Sequence, residues 1–129
     1  MSLNSPEMQE VLAANLAFYD AHEQRDLAAM DAVWAHGDEV ACIHPGWPIL
    51  RGWDDVRRSW EGIFNGPGRN QFVITNVAVT LTDALAIVTL DENLLDARAQ
   101  GTVAATNVFR RDSDGWRMTL HHGSPVMAR

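Results

Sequence analysis

The sequence predicts an α+β fold in which three helices pack on a curved, mainly antiparallel mixed sheet. The first third of the chain carries apolar residues spaced three and four apart, which is the period of a helix. From residue 71 onward apolar residues alternate or run together over long stretches that short turn sequences separate. Helices followed by a run of strands indicate that the helices lie on one face of the sheet.

The helices are predicted from their start and stop signals. Ser5-Pro6-Glu7 offers an N-cap, a proline at the first helical position and an acid in the first turn. The apolar face of this helix runs from Met8 to about His22. Asp26 is expected to cap a second short helix that ends at Gly37. Arg51-Gly52 turns the chain into a third helix, which the sequence NGPGRN ends.

The strands form one short and four long segments. Val40 to His44 is a short apolar run that Pro45-Gly46 ends. The long segments cover residues 71–80, 84–95, 102–111 and 116–126. Turns at Asp83, DARAQG and DSDG join them, which predicts an antiparallel meander. A concave sheet that closes on helices leaves a cone, and the interior of the cone is a natural ligand pocket.

Length, charge and cysteine content limit the classes of function. We expect one domain over residues 1–129, with residues 1–6 disordered or tag-derived. The net charge of −7 argues against nucleic acid or an anionic membrane as partner. No apolar run reaches the ~20 residues of a membrane span, and MSLNSPEMQE lacks the features of a secretory signal. Cys42 is the single cysteine, so we expect a reducing cytoplasm.

Strand alternation predicts which side chains enter the cone. If His44 points inward, Cys42 does so too. Three inward sets are expected on the later strands: Val88, Leu90 and Glu92; Val103, Ala105, Asn107 and Phe109; Trp116, Met118, Leu120, His122 and Ser124. Each set is mostly apolar and yet contains a polar group, which makes these polar groups the candidates for a site.

The acid–base candidates are His44, Glu92 and His122, because imidazole and a buried carboxyl exchange protons near neutral pH. His44 could instead bond to a carbonyl near Pro45. Glu92 could lie on a solvated face, since a slip of one residue would place Asp91 inside. The last histidine could be structural, with either His121 or His122 facing inward.

Other candidates would contact a ligand rather than exchange its protons. Asn107 offers a donor and an acceptor that could orient a carbonyl or satisfy a buried group. Trp47, Trp60 and Phe18 are expected to contact the ligand from the walls, and Trp47 could also close the mouth of the cone. Trp60 could instead be a core residue, as is expected for Trp34. Leu120 is expected on the wall. We predict no metal site and no cofactor, since His44, Glu92 and His122 lie on three strands without a local metal-binding motif.

Two stretches of sequence resemble a known family. AVWAHGDEVACIHPGWPILRGWDDVRRSW and GWRMTLHHGSPV are similar to the SnoaL-like branch of the NTF2-like superfamily, which includes ketosteroid isomerase. The resemblance covers roughly residues 7 to 126. It implies a cone-shaped α+β barrel, a homodimer formed through the open sheet face and an internal ligand cavity. It does not imply one reaction, because this fold supports several functions.

The resemblance can be followed to the isomerase residues. That enzyme uses an Asp base with a Tyr and a protonated Asp as oxyanion donors. The base falls on His44, the Tyr on Phe18, the donor Asp on Asn107, and a supporting tyrosine on Trp60. These changes argue against classical steroid isomerisation.

The sequence therefore predicts a homodimeric protein that binds a small, carbonyl-containing apolar ligand. If it is an enzyme, His/Glu acid–base chemistry would make it an isomerase, a dehydratase or a hydrolase. The alternative is a non-catalytic ligand-binding or dimerisation module.

Overall fold

A computed structural model describes residues 5–68, 71–96 and 99–127. As the sequence predicts, three helices pack on one face of a mixed sheet. The sheet has six strands and stays open rather than closing into a barrel. The helices are α1 (Pro6–Gln24), α2 (Leu27–Val33) and α3 (Trp53–Asn65). The strands are β1 (Ala41–Ile43), β2 (Leu50–Arg51), β3 (Phe72–Leu81), β4 (Leu85–Asp96), β5 (Ala99–Asp112) and β6 (Gly115–Pro125).

The predicted helix caps form in the structure. The Ser5 hydroxyl accepts from the backbone N–H of Met8, and Asp26 Oδ1 accepts from that of Ala29. Ser5 and Pro6 thus belong to the folded domain, and residues 1–4 lie outside the described residues. The predicted end of α2 at Gly37 is wrong. The helix ends at Val33, because the next residue is extended and bridges to β6.

Arg25 connects the C-terminal end of α1 to the C-terminal end of α3. It adopts the left-handed conformation (φ 55°) that ends α1. Its guanidinium donates to the carbonyls of Phe64 (3.0 Å), Gly66 (2.8 Å) and Gly68. These bonds satisfy carbonyls at the C-terminus of α3 that have no partner within the helix. The NGPGRN stop signal is therefore correct, although residues 69 and 70 lie outside the described residues.

The strand order in the sheet is β2-β1-β6-β5-β4-β3. Strands β3 to β6 form the predicted antiparallel meander, and β1 pairs in parallel with β6, so the sheet is mixed. The sequence prediction missed β2, a two-residue strand paired with β1. Asp96 pairs with Ala99 at the predicted DARAQG turn, of which residues 97 and 98 lie outside the described residues.

Two β-bulges interrupt the described part of the sheet. On β3 the register shifts between Thr75 and Ala78, where Asn76 takes a left-handed conformation (φ 59°). On β6 the register shifts because Val108 pairs with Leu120 while Phe109 pairs with Met118, leaving one extra residue between them. Because side chains alternate along a strand, the second bulge reverses which β6 residues face the helices.

The hydrophobic core lies between the helices and the inner face of the sheet. Its largest fully buried members are Trp34, Trp60, Tyr19, Phe18 and Phe109. Leu90 and Met118 are also buried within it, so apolar side chains fill much of the interior. Among the described residues, no helix combines the length and the apolar character that crossing a membrane requires.

Candidate functional site

The inner face of the sheet buries the polar residues that the sequence places there, directly after β1 and on β4 and β5. The exposed fraction is 4% for His44, 5% for Glu92 and 0% for Asn107. Cys42 is buried beside His44, as strand alternation predicts. The solvated-face alternative for Glu92 is wrong, since Asp91 faces the other side. Buried polar groups are costly unless they are hydrogen-bonded, so their partners decide what they can do.

Glu92 is bonded to a tyrosine of the first helix. The Tyr19 hydroxyl donates to Glu92 Oε2 over 2.6 Å, and both side chains are buried. Burial raises the pKa of the Glu92 carboxyl from 4.5 to about 7, and the bond from Tyr19 opposes this rise. The pKa of Tyr19 is raised by burial and by the neighbouring carboxylate. Glu92 can therefore change protonation state near neutral pH while Tyr19 remains a donor.

Asn107 connects Tyr19 to two further residues. Its Nδ2 donates to Asn15 Oδ1 over 2.9 Å and to the Tyr19 hydroxyl over 3.1 Å. Its Oδ1 lies 2.6 Å from His121 Nδ1, so the imidazole must donate to it. Both amide hydrogens and the carbonyl oxygen are thus used within the protein. We call Asn15, Tyr19, Glu92, Asn107 and His121 the polar network.

The expected orientation of His122 is wrong. His121 is buried (2% exposed), whereas His122 is exposed on the outer face of the sheet. The bulge on β6 inserts one residue after Met118 and reverses the alternation from there on. For the same reason Leu120, expected on the cavity wall, points away from the core, and Ser124 is exposed. His122 and Ser124 line a shallow cleft of about 370 Å³ on that outer face.

His44 lies on the same inner face, bonded to α3. The Ser59 hydroxyl donates to the carbonyl of Val56 over 2.6 Å, so it accepts the hydrogen of His44 Nε2, 2.9 Å away. This arrangement leaves His44 Nδ1 as a lone-pair acceptor, 3.9 Å from Cys42 Sγ. Burial lowers the pKa of His44 from 6.5 to about 4, so the ring is neutral at pH 7.

Aromatic rings separate His44 from the polar network. The Phe18 ring lies 5.6 Å from Trp60 and 4.7 Å from His121, measured between ring centroids. Trp60 in turn contacts His44 edge-on at 4.6 Å, and both Phe18 and Trp60 are fully buried. Trp47 is 45% exposed, and its ring lies 4.8 Å from His44. Trp47 therefore covers His44 from the solvent side.

The sequence places Asn15 and Tyr19 on the apolar face of the first helix, which ends near His22, but none of the three was predicted as a site residue. All lie on α1, and the spacing of Asn15 and Tyr19 is one helical turn. A polar amide and a phenol on the apolar face of a helix were the available signal. The structure also shows that Tyr19 supplies a buried hydroxyl next to Phe18, the position at which the resemblance indicated a lost hydroxyl.

Possible metal ligands do not converge in the described ranges. Within residues 5–68, 71–96 and 99–127, no three His, Cys, Asp or Glu side chains are close enough together to hold a metal ion. The interior of this region offers neutral imidazoles and one carboxyl group, which suit proton transfer and hydrogen bonding to an uncharged molecule.

Comparison with known proteins identifies the family. The SnoaL-like domain family matches residues 11–128. The chain belongs to this family. The SnoaL-like assignment agrees with the cone-shaped α+β architecture of the NTF2-like superfamily.

Two solved structures are similar to this SnoaL-like chain at 40% identity. One is an NTF2-like protein of Streptomyces avermitilis with a provisional dehydratase assignment; the match covers 93% of this chain and 96% of that one, with a TM-score of 0.86. The other, from Thiobacillus denitrificans, is provisionally assigned as a calcium/calmodulin-dependent protein kinase type II association domain. It matches over 90% of this chain and 94% of that one, with a TM-score of 0.82.

A curated relative comes from a plant. F-box protein SKIP8 of Arabidopsis thaliana is 30% identical over 118 residues, which is 91% of this chain and 50% of the relative. The SnoaL-like chain thus spans about half the length of that protein.

Proposed function

We propose that this SnoaL-like protein is an acid–base enzyme that moves a proton next to the carbonyl group of a small, largely apolar molecule. The observation that carries the proposal is the buried bond between Tyr19 and Glu92. Burial raises the pKa of Glu92 to about 7, where a carboxyl group serves equally well as acid and as base. The 40% identical Streptomyces protein with a provisional dehydratase assignment supports this class of reaction.

Each member of the polar network has a role in this proposal. Glu92 uses Oε2 for the bond from Tyr19, and Oε1 has no partner among the described residues, so Oε1 would exchange the proton. Asn107 and His121 are positioning residues, because they touch Tyr19 or each other and hold the phenol in place. His44, neutral and with Nδ1 unprotonated, is the second group able to accept a proton.

Exchange of α-protons with solvent deuterium tests the proposal. The protein is incubated in D₂O with a panel of ketones and β-hydroxy ketones, and exchange is followed by ¹H NMR. For a ketone that the wild type exchanges, E92Q should lower the rate about 10²- to 10⁴-fold, since it removes the acid–base group. The wild-type rate should depend on a group with a pKa near 7, and E92Q should abolish that dependence.

D91N is the matched control, because Asp91 is the adjacent carboxylate on the opposite face and bonds to exposed Asn76. Its exchange rate should equal that of the wild type. Equal rates in E92Q and the wild type, or no exchange of any ketone by the wild type, would refute the enzyme proposal.

A second candidate function is self-association through the outer face of the sheet. Apolar side chains are exposed at both ends of this face, at 44% for Leu85 and 42% for Ile87 at one end, and at 47% for Val73 and 59% for Leu95 at the other. The 40% identical protein with a provisional association-domain assignment supports this candidate. Exposed apolar patches of this kind are typical of protein interfaces. A homodimer is compatible with the enzyme proposal, since the polar network lies on the other face.

Sedimentation velocity tests the association. We expect the wild type to sediment as a dimer and I87D to raise the dimer dissociation constant at least about tenfold, because it buries a charge in the interface. I49D is the control, as Ile49 is 53% exposed in the connection between β1 and β2. A monomeric wild type would contradict this candidate.

A further inference from the structure

Three buried side-chain nitrogen atoms lack a hydrogen-bond partner among the described residues. One is Arg25 Nε, whose guanidinium bonds through its other nitrogen atoms. The other two lie in the interior. They are Nε1 of Trp60 on α3 and Nδ1 of His22 on α1. Trp60 is fully buried, and the two rings are in edge contact, with centroids 4.9 Å apart and planes at 75°. The unpaired atoms therefore belong to neighbouring side chains of opposing helices.

Leaving a buried N–H unpaired is unfavourable, and native proteins rarely do so. Other buried tryptophans of this chain follow that rule. Trp34 Nε1 lies 3.3 Å from Met30 Sδ, and Trp116 Nε1 donates to Glu10 Oε2 over 3.2 Å. Trp60 differs from both, so its N–H is available to a group from outside the chain.

The surroundings of the pair define the chemistry of that group. His22 lies within ring contact of Phe64 and Phe72, at centroid distances of 6.4 and 5.0 Å. His44 lies on another side of Trp60. Burial is the main reason why the pKa of His22 is lowered to about 4, so the pair carries no charge at pH 7. An uncharged ligand with a flat ring suits such walls.

A hydroxyl group has the donor and the acceptor that these two nitrogen atoms require. Trp60 Nε1 can only donate, so the ligand atom must accept a hydrogen bond. A neutral His22 either accepts at Nδ1 or donates from it, depending on its tautomer. A hydroxyl oxygen accepts from Trp60 and can pair with His22 in either case, whereas a carbonyl oxygen suits only one tautomer.

We propose that Trp60 and His22 form a subsite for the hydroxyl group of an uncharged aromatic or similarly flat ligand. This inference rests on the proposed function in one respect: it assigns the substrate a hydroxyl besides its carbonyl. The Phe72 ring contacts both His22 of the subsite and Tyr19 of the polar network, at centroid distances of 5.0 and 5.3 Å. The two sites are therefore neighbours.

Phenol and toluene are suitable probes, because they differ only in a hydroxyl and a methyl group of similar size. Ligand-observed NMR titration should show phenol binding more tightly than toluene. W60F should weaken phenol binding about five- to tenfold, the effect of one lost hydrogen bond, and leave toluene binding unchanged. W34F is the matched control, since it removes a buried indole N–H that already has a partner.

Two variants of His22 provide a second test, which does not depend on whether W60F folds. H22N keeps a polar atom near the position of Nδ1 and should retain the preference for phenol, whereas H22F should lose it. Equal affinities for the two probes, binding of neither, or an unchanged preference in both W60F and H22F would overturn the subsite.

The outcome is separable from that of the proposed function. Y19F should keep the preference for phenol if the hydroxyl sits at Trp60 and His22, and should lose it if phenol binds at the polar network. Loss of the preference in Y19F but not in W60F would overturn the subsite. Ketone exchange that depends on Glu92 would stand in that case.

Discussion

Replacing Asn107 by leucine should lower the free energy of unfolding by about 3–5 kcal/mol, a large effect for a substitution of similar size. Asn107 is fully buried and satisfies Asn15, Tyr19 and His121 at once. In N107L these three partners remain buried, and each loses a hydrogen bond that water cannot replace. Urea denaturation of the wild type and the variant measures the difference.

Asn93 provides a matched control for that experiment. It lies on neighbouring β4 and also makes three side-chain hydrogen bonds, to Val73, Thr75 and Thr102, on a face that water reaches. N93L should therefore cost less than about 1 kcal/mol, because water can satisfy the groups left behind. Similar losses in N107L and N93L would contradict the view that burial makes the polar network important for stability.

Most of the fold could be predicted because the local patterns agree with the tertiary structure. The caps at Ser5 and Asp26 and the alternation on β4 and β5 are local features, and they place Glu92 and Asn107 on the inner face. Strand β2 was missed because two residues carry no period. The end of α2 was misplaced because the backbone after Val33 pairs with β6, a contact with a distant part of the chain.

The candidate site was predicted less completely, for two physical reasons. The bulge on β6 arises from its pairing with β5, so alternation alone assigned His122 rather than His121 to the interior. The bond between Tyr19 and Glu92 joins residues 73 positions apart. Such pairs depend on how helix and sheet pack, and the sequence indicated only that both residues could face inward.

Acidification should destabilise the protein steeply between about pH 6 and 5. Burial lowers the folded-state pKa of His22 and His44 to about 4 and that of His121 well below 6.5. The unfolded chain binds protons at these residues from pH 6.5 downward while the folded chain does not. Their contribution to stability is therefore full above pH 6.5 and is lost as the pH falls toward 4.

Glu92 acts in the opposite direction. Its pKa is about 7 in the folded protein and 4.5 otherwise, so the folded chain takes up this proton first and gains stability as the pH falls from 7 to 4.5. Between pH 6 and 5, unfolding lets three histidines each take up a proton and makes one carboxyl group release its proton. The net uptake on unfolding is therefore about two protons. The free energy of unfolding should thus fall by roughly 2–3 kcal/mol per pH unit between pH 6 and 5.

Two variants assign this slope to the named groups. H121N keeps a donor for Asn107 near the position of Nδ1 but does not titrate, so its slope should be shallower by about 1.4 kcal/mol per pH unit. E92Q removes the carboxyl group that acts in the opposite direction, so its slope should be steeper by a similar amount. H122Q, on the exposed face, is the control and should match the wild type. If H122Q flattened the slope and H121N did not, the alternation that places His122 inside would be right and the bulge on β6 would be absent in solution.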